Sequence, residues 1–244
     1  MEILKNNFEE IKKTNDPEKI NDFLIKLSED PDKDYLKYIE HFKNNLEPQV
    51  FEKVKLNWIF LLGEIGKLNI LEEKFINILI DTYYSSDRWI RNEIIQAIGK
   101  ITTHLDIAED IIKLIGYAVN DDYFPIKVNA LKSILNLKEL PPIIRKNIFQ
   151  ALSLKNIELE SLCIKILDKF MPDYNQLFFS LNYQDNYKIL KAHAIRALLL
   201  IYFRSMLNLE SFRQKISNSN WEKQYKENFL KEIDIYEKIL MKRL

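Results

Sequence analysis

The chain is predicted to be all-helical, a stack of repeated antiparallel helix pairs with no sheet. Three observations carry that expectation. Apolar residues recur at helical spacing along nearly the whole length, and no stretch shows the alternation of a half-buried strand. Only 4 glycines and 7 prolines occur in 244 residues, which leaves little chain for long irregular loops, while abundant Leu, Ile, Lys and Glu favour helix. Finally, one apolar stripe repeats in register in five separate segments.

The elements follow from punctuation. Asp16-Pro17-Glu18 and Asp30-Pro31-Asp32 each combine an acidic N-cap, a first-turn proline and a first-turn carboxylate. Pro48, Pro125, Pro141-Pro142 and Pro172 mark further helix starts. About fourteen helices are expected, over 2–13, 17–29, 31–46, 48–68, 71–84, 87–104, 108–119, 124–138, 141–153, 157–170, 173–182, 186–205, 209–217 and 220–243. No linker or low-complexity tract interrupts them. A single domain over 1–244 follows, with a cap pair at 1–30, repeats over 31–205 and C-terminal cap helices over 206–244.

The repetition is read by placing Val54-Lys55, Ile90-Arg91, Ile126-Lys127, Leu159-Glu160 and Leu190-Lys191 in one column, at spacings of 36, 36, 33 and 31. Four residues after the first of each pair come Trp58, Ile94, Ala130, Cys163 and Ala194. The stripe continues through Leu62, Ile98, Ile134, Leu167 and Leu198, then Ile65, Ile101, Leu137, Phe170 and Ile201. A helix pair of this size cannot bury its own apolar face, so neighbouring pairs must stack.

Asp87-Arg88-Trp89-Ile90-Arg91 followed by Ala97-Ile98-Gly99 resembles the turn and second helix of a HEAT repeat, and the segment from Asp121 to Ala130 is similar. The resemblance covers about residues 31–205 and is strongest over 71–138; after 141 the acidic turn residue is missing and Glu160 replaces the basic one. It implies a right-handed α-α superhelix, a HEAT-type solenoid of about six or seven helix pairs. Within that family, Asp87 and Arg91 brace the turn and link adjacent repeats. The motif specifies an architecture and says little about function.

Composition excludes several classes. Hydrophobic residues at 47% and charged residues at 30% are globular values. A lone cysteine, Cys163, rules out a disulfide framework and points to a reducing compartment. The acidic start MEILKNNFEEIKK lacks the form of a signal peptide, and the apolar run from Ala197 to Phe203 is too short to span a bilayer. A cytoplasmic, soluble protein with no membrane contact is expected. Phosphate-binding loops, dinucleotide fingerprints, nucleophile elbows and zinc helices are absent. His41, His104 and His193 stand in different repeats without an adjacent Glu, so no metal site is expected. Cys163 shares a column with Ala130 and Ala194, the place of a small core residue and not of a nucleophile. No catalytic residue and no cofactor site is assigned. Tyr83-Tyr84, Tyr123-Phe124 and the Tyr183/Tyr187 pair recur near the turns, where they seal the ends of repeats or form a rim for a peptide.

One face remains for function. Opposite the apolar stripe, three columns read Leu56, Asn92, Val128, Ser161, Ala192; then Phe60, Gln96, Lys132, Lys165, Arg196; then Gly63, Gly99, Leu135, Asp168, Leu199. In HEAT solenoids second helices line the concave face, so these residues are expected there. Lys132, Lys165 and Arg196 would form a basic strip flanked by Val128, Leu135, Ala192 and Leu199, an apolar background of the kind that marks a contact site. Residues 141–244 carry 17 Lys+Arg against 11 Asp+Glu, whereas 1–140 carry 19 against 25, which places the strip mainly in the positive half. The expected function is a non-catalytic scaffold or adaptor that binds an acidic or amphipathic segment of another protein. An intramolecular alternative has the helix at 220–243 fold back over the same face. Two other functions are compatible with the resemblance: a nucleic-acid or DNA-repair module resembling HEAT-like alkylpurine DNA glycosylases, which use tryptophans on a basic surface, and a HEAT-like bilin lyase. Trp58 and Trp89 lie away from the basic strip.

Overall fold

The computed structural model describes residues 2–102, 109–173, 191–203 and 206–242. Among them the regular elements are thirteen α-helices and one 3-10 turn, with no strand. The contacts fall into two compact units, Met1–Leu114 and Ile115–Leu244. The charge imbalance follows the same division. The first unit holds 16 Lys+Arg against 22 Asp+Glu, and the second holds 20 against 14.

In the first unit, α1 (Glu2–Ile11), α2 (Pro17–Glu29), α3 (Leu36–Asn45), α4 (Pro48–Leu68), α5 (Glu73–Ser85) and α6 (Arg88–Ile101) follow in order. Their starts bear out most of the punctuation. Asp16 accepts a hydrogen bond from Glu18 N at 3.0 Å, and Asp87 accepts from Trp89 N and Ile90 N at 2.8 and 3.1 Å. Asp30-Pro31-Asp32 is different: Asp30 closes α2, and Asp32 caps only the 3-10 turn Lys33–Tyr35, its carboxylate accepting from Asp34 N at 2.8 Å. The predicted helix over 31–46 therefore begins at Leu36.

Each even-numbered helix packs against its odd-numbered predecessor, and α4 lies against both α2 and α6. Helices α4 and α6 run parallel, since Gly63 lies against Ala97 and Gly66 against Ile101. Asn57 donates to Asn21 at 2.8 Å, and Lys100 pairs with Glu64 at 2.8 Å, each across 36 positions. Trp58 is buried, its Nε1–H bonded to Ile39 O at 2.8 Å. Phe8, Phe23, Tyr38 and Phe42 form an aromatic cluster beneath α1.

Helix α7 (Glu109–Val119) carries the unit boundary. In the second unit, α8 (Phe124–Leu135), α9 (Pro142–Leu152), α10 (Ile157–Phe170), α11 (Ala192–Tyr202), α12 (Met206–Ser217) and α13 (Lys223–Met241) follow. The helix predicted over 173–182 and the first residues of that over 186–205 lie outside the described residues. Here α8, α10, α11 and α13 form a row, each packed on the next, with α9 backing α10 and α12 backing α13. The final helix thus stands beside α11 as the next member of the row. The repeated stripe is the core of both units: Trp58, Ile94, Ala130, Cys163 and Ala194 are all buried, as are Leu62, Ile98, Ile134, Leu167 and Leu198.

Close approach of α4 to α6 depends on Gly63. A Cβ built there would lie 2.8 Å from Ala97 Cβ and 2.9 Å from its Cα, and backbone cannot yield as a side-chain tip can. Gly63→Ala should therefore destabilise by about 1–3 kcal/mol, although alanine is favoured over glycine in a helix by about 1 kcal/mol. Adding Ala97→Gly should recover part of the loss. Thermal melts of the two variants check this; a Gly63→Ala protein as stable as the parent would mean that the helices have room to part.

Candidate functional site: a basic face on the second unit

The row of helices in the second unit displays one repeated detail. Lys132 is the exposed residue between buried Ala130-Leu131 and Ser133-Ile134. Lys165 stands likewise before buried Ile166-Leu167 and after Leu162-Cys163, with half-buried Ile164 between. Arg196 is exposed between Ala194-Ile195 and Ala197-Leu198. At 100° per residue, the buried residues on either side turn toward neighbouring helices, and the single residue between them is left on the crest. Three cations thus occupy equivalent crests on three successive members of the row.

Their surroundings differ. Lys132 and Lys165 have no ion-pair or hydrogen-bond partner among the described residues. Arg196 is paired with Glu232 of α13, through Nε to Oε2 at 2.5 Å and Nη2 to Oε1 at 3.4 Å. The Glu232 side chain is 7% exposed while that of Arg196 is 45% exposed. The hydrogen bond that Arg196 donates to Glu232, and then the charge of that carboxylate, raise the guanidinium above its ordinary value. Glu232 went unnoticed in the sequence because an acidic residue within an amphipathic helix gives no sign of being buried. Its separation of 36 residues from Arg196 was the available signal.

The expected apolar flank is largely corrected. Val128 is 6% exposed and Leu199 is fully buried, so both belong to the core. Leu135 is half-buried, and its carbonyl accepts from Lys169 Nζ at 2.5 Å. Ala192 is exposed. The physical reason is that packing on the neighbouring helices, α10 beside α8 and both α10 and α13 beside α11, covers more than one face. The apolar stripe therefore widens beyond the single face that an isolated helical wheel assigns.

Other candidates resolve into structural parts. Arg91 donates to Ser86 O at 3.4 Å and lies 6.0 Å from the Tyr83 ring, bracing the turn capped by Asp87. His41 contacts Asn45, and His193 Nε2 lies 2.9 Å from Leu152 O and 3.2 Å from Lys155 N, tying α11 to the α9–α10 turn. Lys155 adopts a left-handed φ of 53° in that turn. His104, Tyr183 and Tyr187 lie outside the described residues. Tyr83 is buried and Tyr84 exposed, while Tyr123 is half-buried and Phe124 exposed. Trp58 and Trp221 are buried and Trp89 is exposed. No group of three or more His, Cys, Asp or Glu side chains that could hold a metal occurs among the described residues. None of the described helices is long and apolar enough to cross a membrane.

In the first unit the equivalent crest positions are the half-buried Phe60 and Gln96. Lys100 lies 4.4 Å over the Phe60 ring and pairs with Glu64. Beside them Glu93 has a buried Oε1 with no hydrogen-bond partner. Burial first, and then Glu64, raise its carboxyl above the ordinary range, against the opposing pull of Lys100.

No protein-family model matches the chain, and no curated protein matches it in sequence. An engineered protein of known crystal structure is similar over 97% of this chain and 98% of its own, with 14% sequence identity and a TM-score of 0.51. At that identity the likeness concerns the fold alone.

Two expectations follow from the buried groups. The Cys163 thiol is pushed up to about 12, chiefly by burial and then by Glu160. It should resist a thiol reagent at mildly alkaline pH until the chain is unfolded; immediate labelling of the native protein would place it at the surface. The raised carboxyl of Glu93 means that the native state holds this proton more tightly than the unfolded chain. Stability should therefore fall as pH rises from the ordinary carboxylate value through the native one, and remain lower at neutrality. Glu93→Gln should melt above the parent at neutral pH and lose that advantage in acid. Equal melting curves at all pH values would show the carboxyl to be well solvated.

Proposed function

We propose that the chain is a HEAT-type solenoid of about six or seven helix pairs, a right-handed superhelix that acts as a non-catalytic scaffold or adaptor. Its partner is another protein, and the contact is an acidic segment laid along the basic crest of the second unit. One observation carries the reading: Lys132 and Lys165 stand exposed at equivalent positions on adjacent helices, and neither has an ion-pair partner among the described residues. The net positive charge of that unit supports it. So does the row of α8, α10, α11 and α13, each packed on the next, which repeats one helix position after another.

A nucleic-acid enzyme is less well supported. Trp58 is locked in the core by its bond to Ile39 O, and Trp221 is buried, so neither is placed to stack on a base. A lyase reading has no side chain to carry it. The protein works inside the cell in this proposal, without a cofactor.

An exposed cation contributes only about 0.2–1 kcal/mol to such a contact, so binding would rest on several together and weaken with salt. Reversing both lysines, Lys132→Glu with Lys165→Glu, should remove the proteins captured from native lysate by the parent chain while leaving its melting temperature unchanged. Identical capture by the double variant would refute the face. Arg196 is unsuitable for this test, because Arg196→Glu would strand the buried Glu232 beside a like charge. That variant should instead melt well below the parent.

A further inference from the structure

We infer that the basic row continues onto α13 through Lys231, and that the four cations form a track for an extended acidic peptide whose carboxylates recur about every third residue. The inference rests on the reading of this face as a binding surface and adds to it a fourth position and a ligand geometry.

The register comes from α13 itself. Phe229 and Ile233 are buried as Ala194 and Leu198 are on α11, at a constant separation of 35 residues. Two ties hold the helices side by side and in the same direction. One is the Arg196–Glu232 pair, and the other is the Tyr236 hydroxyl, which donates to Phe203 O at 2.7 Å. In this register Glu232 occupies the buried place of Ala197, and Lys231 falls on the crest of Arg196. Lys231 is exposed, immediately ahead of buried Glu232 and Ile233. The periodicity of the sequence conceals this match because a charged residue stands in the core stripe.

Charge bookkeeping favours the same four residues. Lys132, Lys165 and Lys231 have no ion-pair or hydrogen-bond partner among the described residues. Nearby cations are committed to the fold. Arg213 of α12 is held by Asp234 and Glu237 of α13, Lys226 donates to Ser217 O and Ser219 O, and Lys169 donates to Leu135 O and Leu137 O. Arg196 is intermediate, since Glu232 fixes its guanidinium and offsets its charge. Lys231 therefore adds a cation at the end of the row where Arg196 is partly neutralised, and the carboxylates beside it, Glu227 and Asp234, are held by Lys223 and Arg213.

The spacing selects the ligand. Packed helices lie about 8–10 Å apart, and an extended peptide advances about 3.3 Å per residue. A carboxylate at every third residue matches one cation per helix. The exposed positions one turn to either side of the crests are Ser161, Asp168, Ala192, Glu227 and Asp234, while Val128 and Leu199 are buried and Leu135 is half-buried. The exposed ones are small or acidic and offer no aromatic ring on which a base could stack, so a peptide fits better than a single-stranded nucleic acid.

Fluorescence anisotropy on the full chain tests the track. The probes are a labelled peptide of Glu-Gly-Ser repeats, an isomer with its glutamates contiguous, and a single-stranded RNA of equal charge. The spaced peptide should bind best, and added salt should weaken it. Lys231→Glu should weaken it about three- to tenfold and Lys231→Ala by less, both without change in helicity. Lys132→Glu with Lys165→Glu should abolish binding. If that double variant loses the peptide and both Lys231 variants keep full affinity, the track ends at Arg196; the inference fails and the binding face stands. If the double variant also binds like the parent, or the parent binds neither peptide, the face itself is wrong. Equal affinity for the contiguous isomer overturns the spacing, and tighter binding of the RNA overturns the assignment to a peptide.

Discussion

Everything in this molecule depends on one constraint: a short amphipathic helix pair has more apolar surface than it can hide by itself. Each unit meets the constraint by laying its even-numbered helices, or their equivalents, side by side. Trp58 and Ile94 in one unit, and Ala130, Cys163 and Ala194 in the other, are buried by the same operation repeated along the chain. Side-chain size is tuned to how closely the helices approach. Gly63 lets α4 meet Ala97, and Gly116 leaves room for Ile144, whose Cγ2 would lie 2.9 Å from an added Cβ.

The same packing decides where charge can go. A helix packed into the row has only a narrow crest left, one residue wide in places such as Lys132 and Arg196. Repetition turns that residue into a row. The side chains that link helices are satisfied locally, as in the Lys100–Glu64 pair and the bonds from Arg213 to α13. The crest lysines of the second unit are left over from this accounting. Surface lysines are individually weak attractors, so a row of them favours an elongated acidic ligand over any compact one.

Stability and binding meet at the C-terminal end. Phe203, Phe212, Phe229 and Trp221 form a continuous aromatic contact that seats α12 and α13 against α11. The buried Glu232 of α13 also holds Arg196 of α11. A cation that looks equivalent to Lys132 and Lys165 in register is thus partly a structural residue. Perturbing it would disturb the fold and the face together.

Helix content, most caps, the five-fold stripe and the burial of Cys163 were legible in the amino-acid order, because helical period and backbone capping are local properties of neighbouring residues. The outward place of Lys132, Lys165 and Arg196 was legible for the same reason. Several features needed the tertiary structure. Val128 and Leu199 proved buried because the neighbouring helices of the row cover more of a helix than its own periodicity records. The pairing of Arg196 with Glu232 and the register of α13 depend on which helix lies beside which, a relation between residues 36 positions apart. The division at residue 114, likewise, is set by the density of long-range contacts, to which no local pattern of residues corresponds.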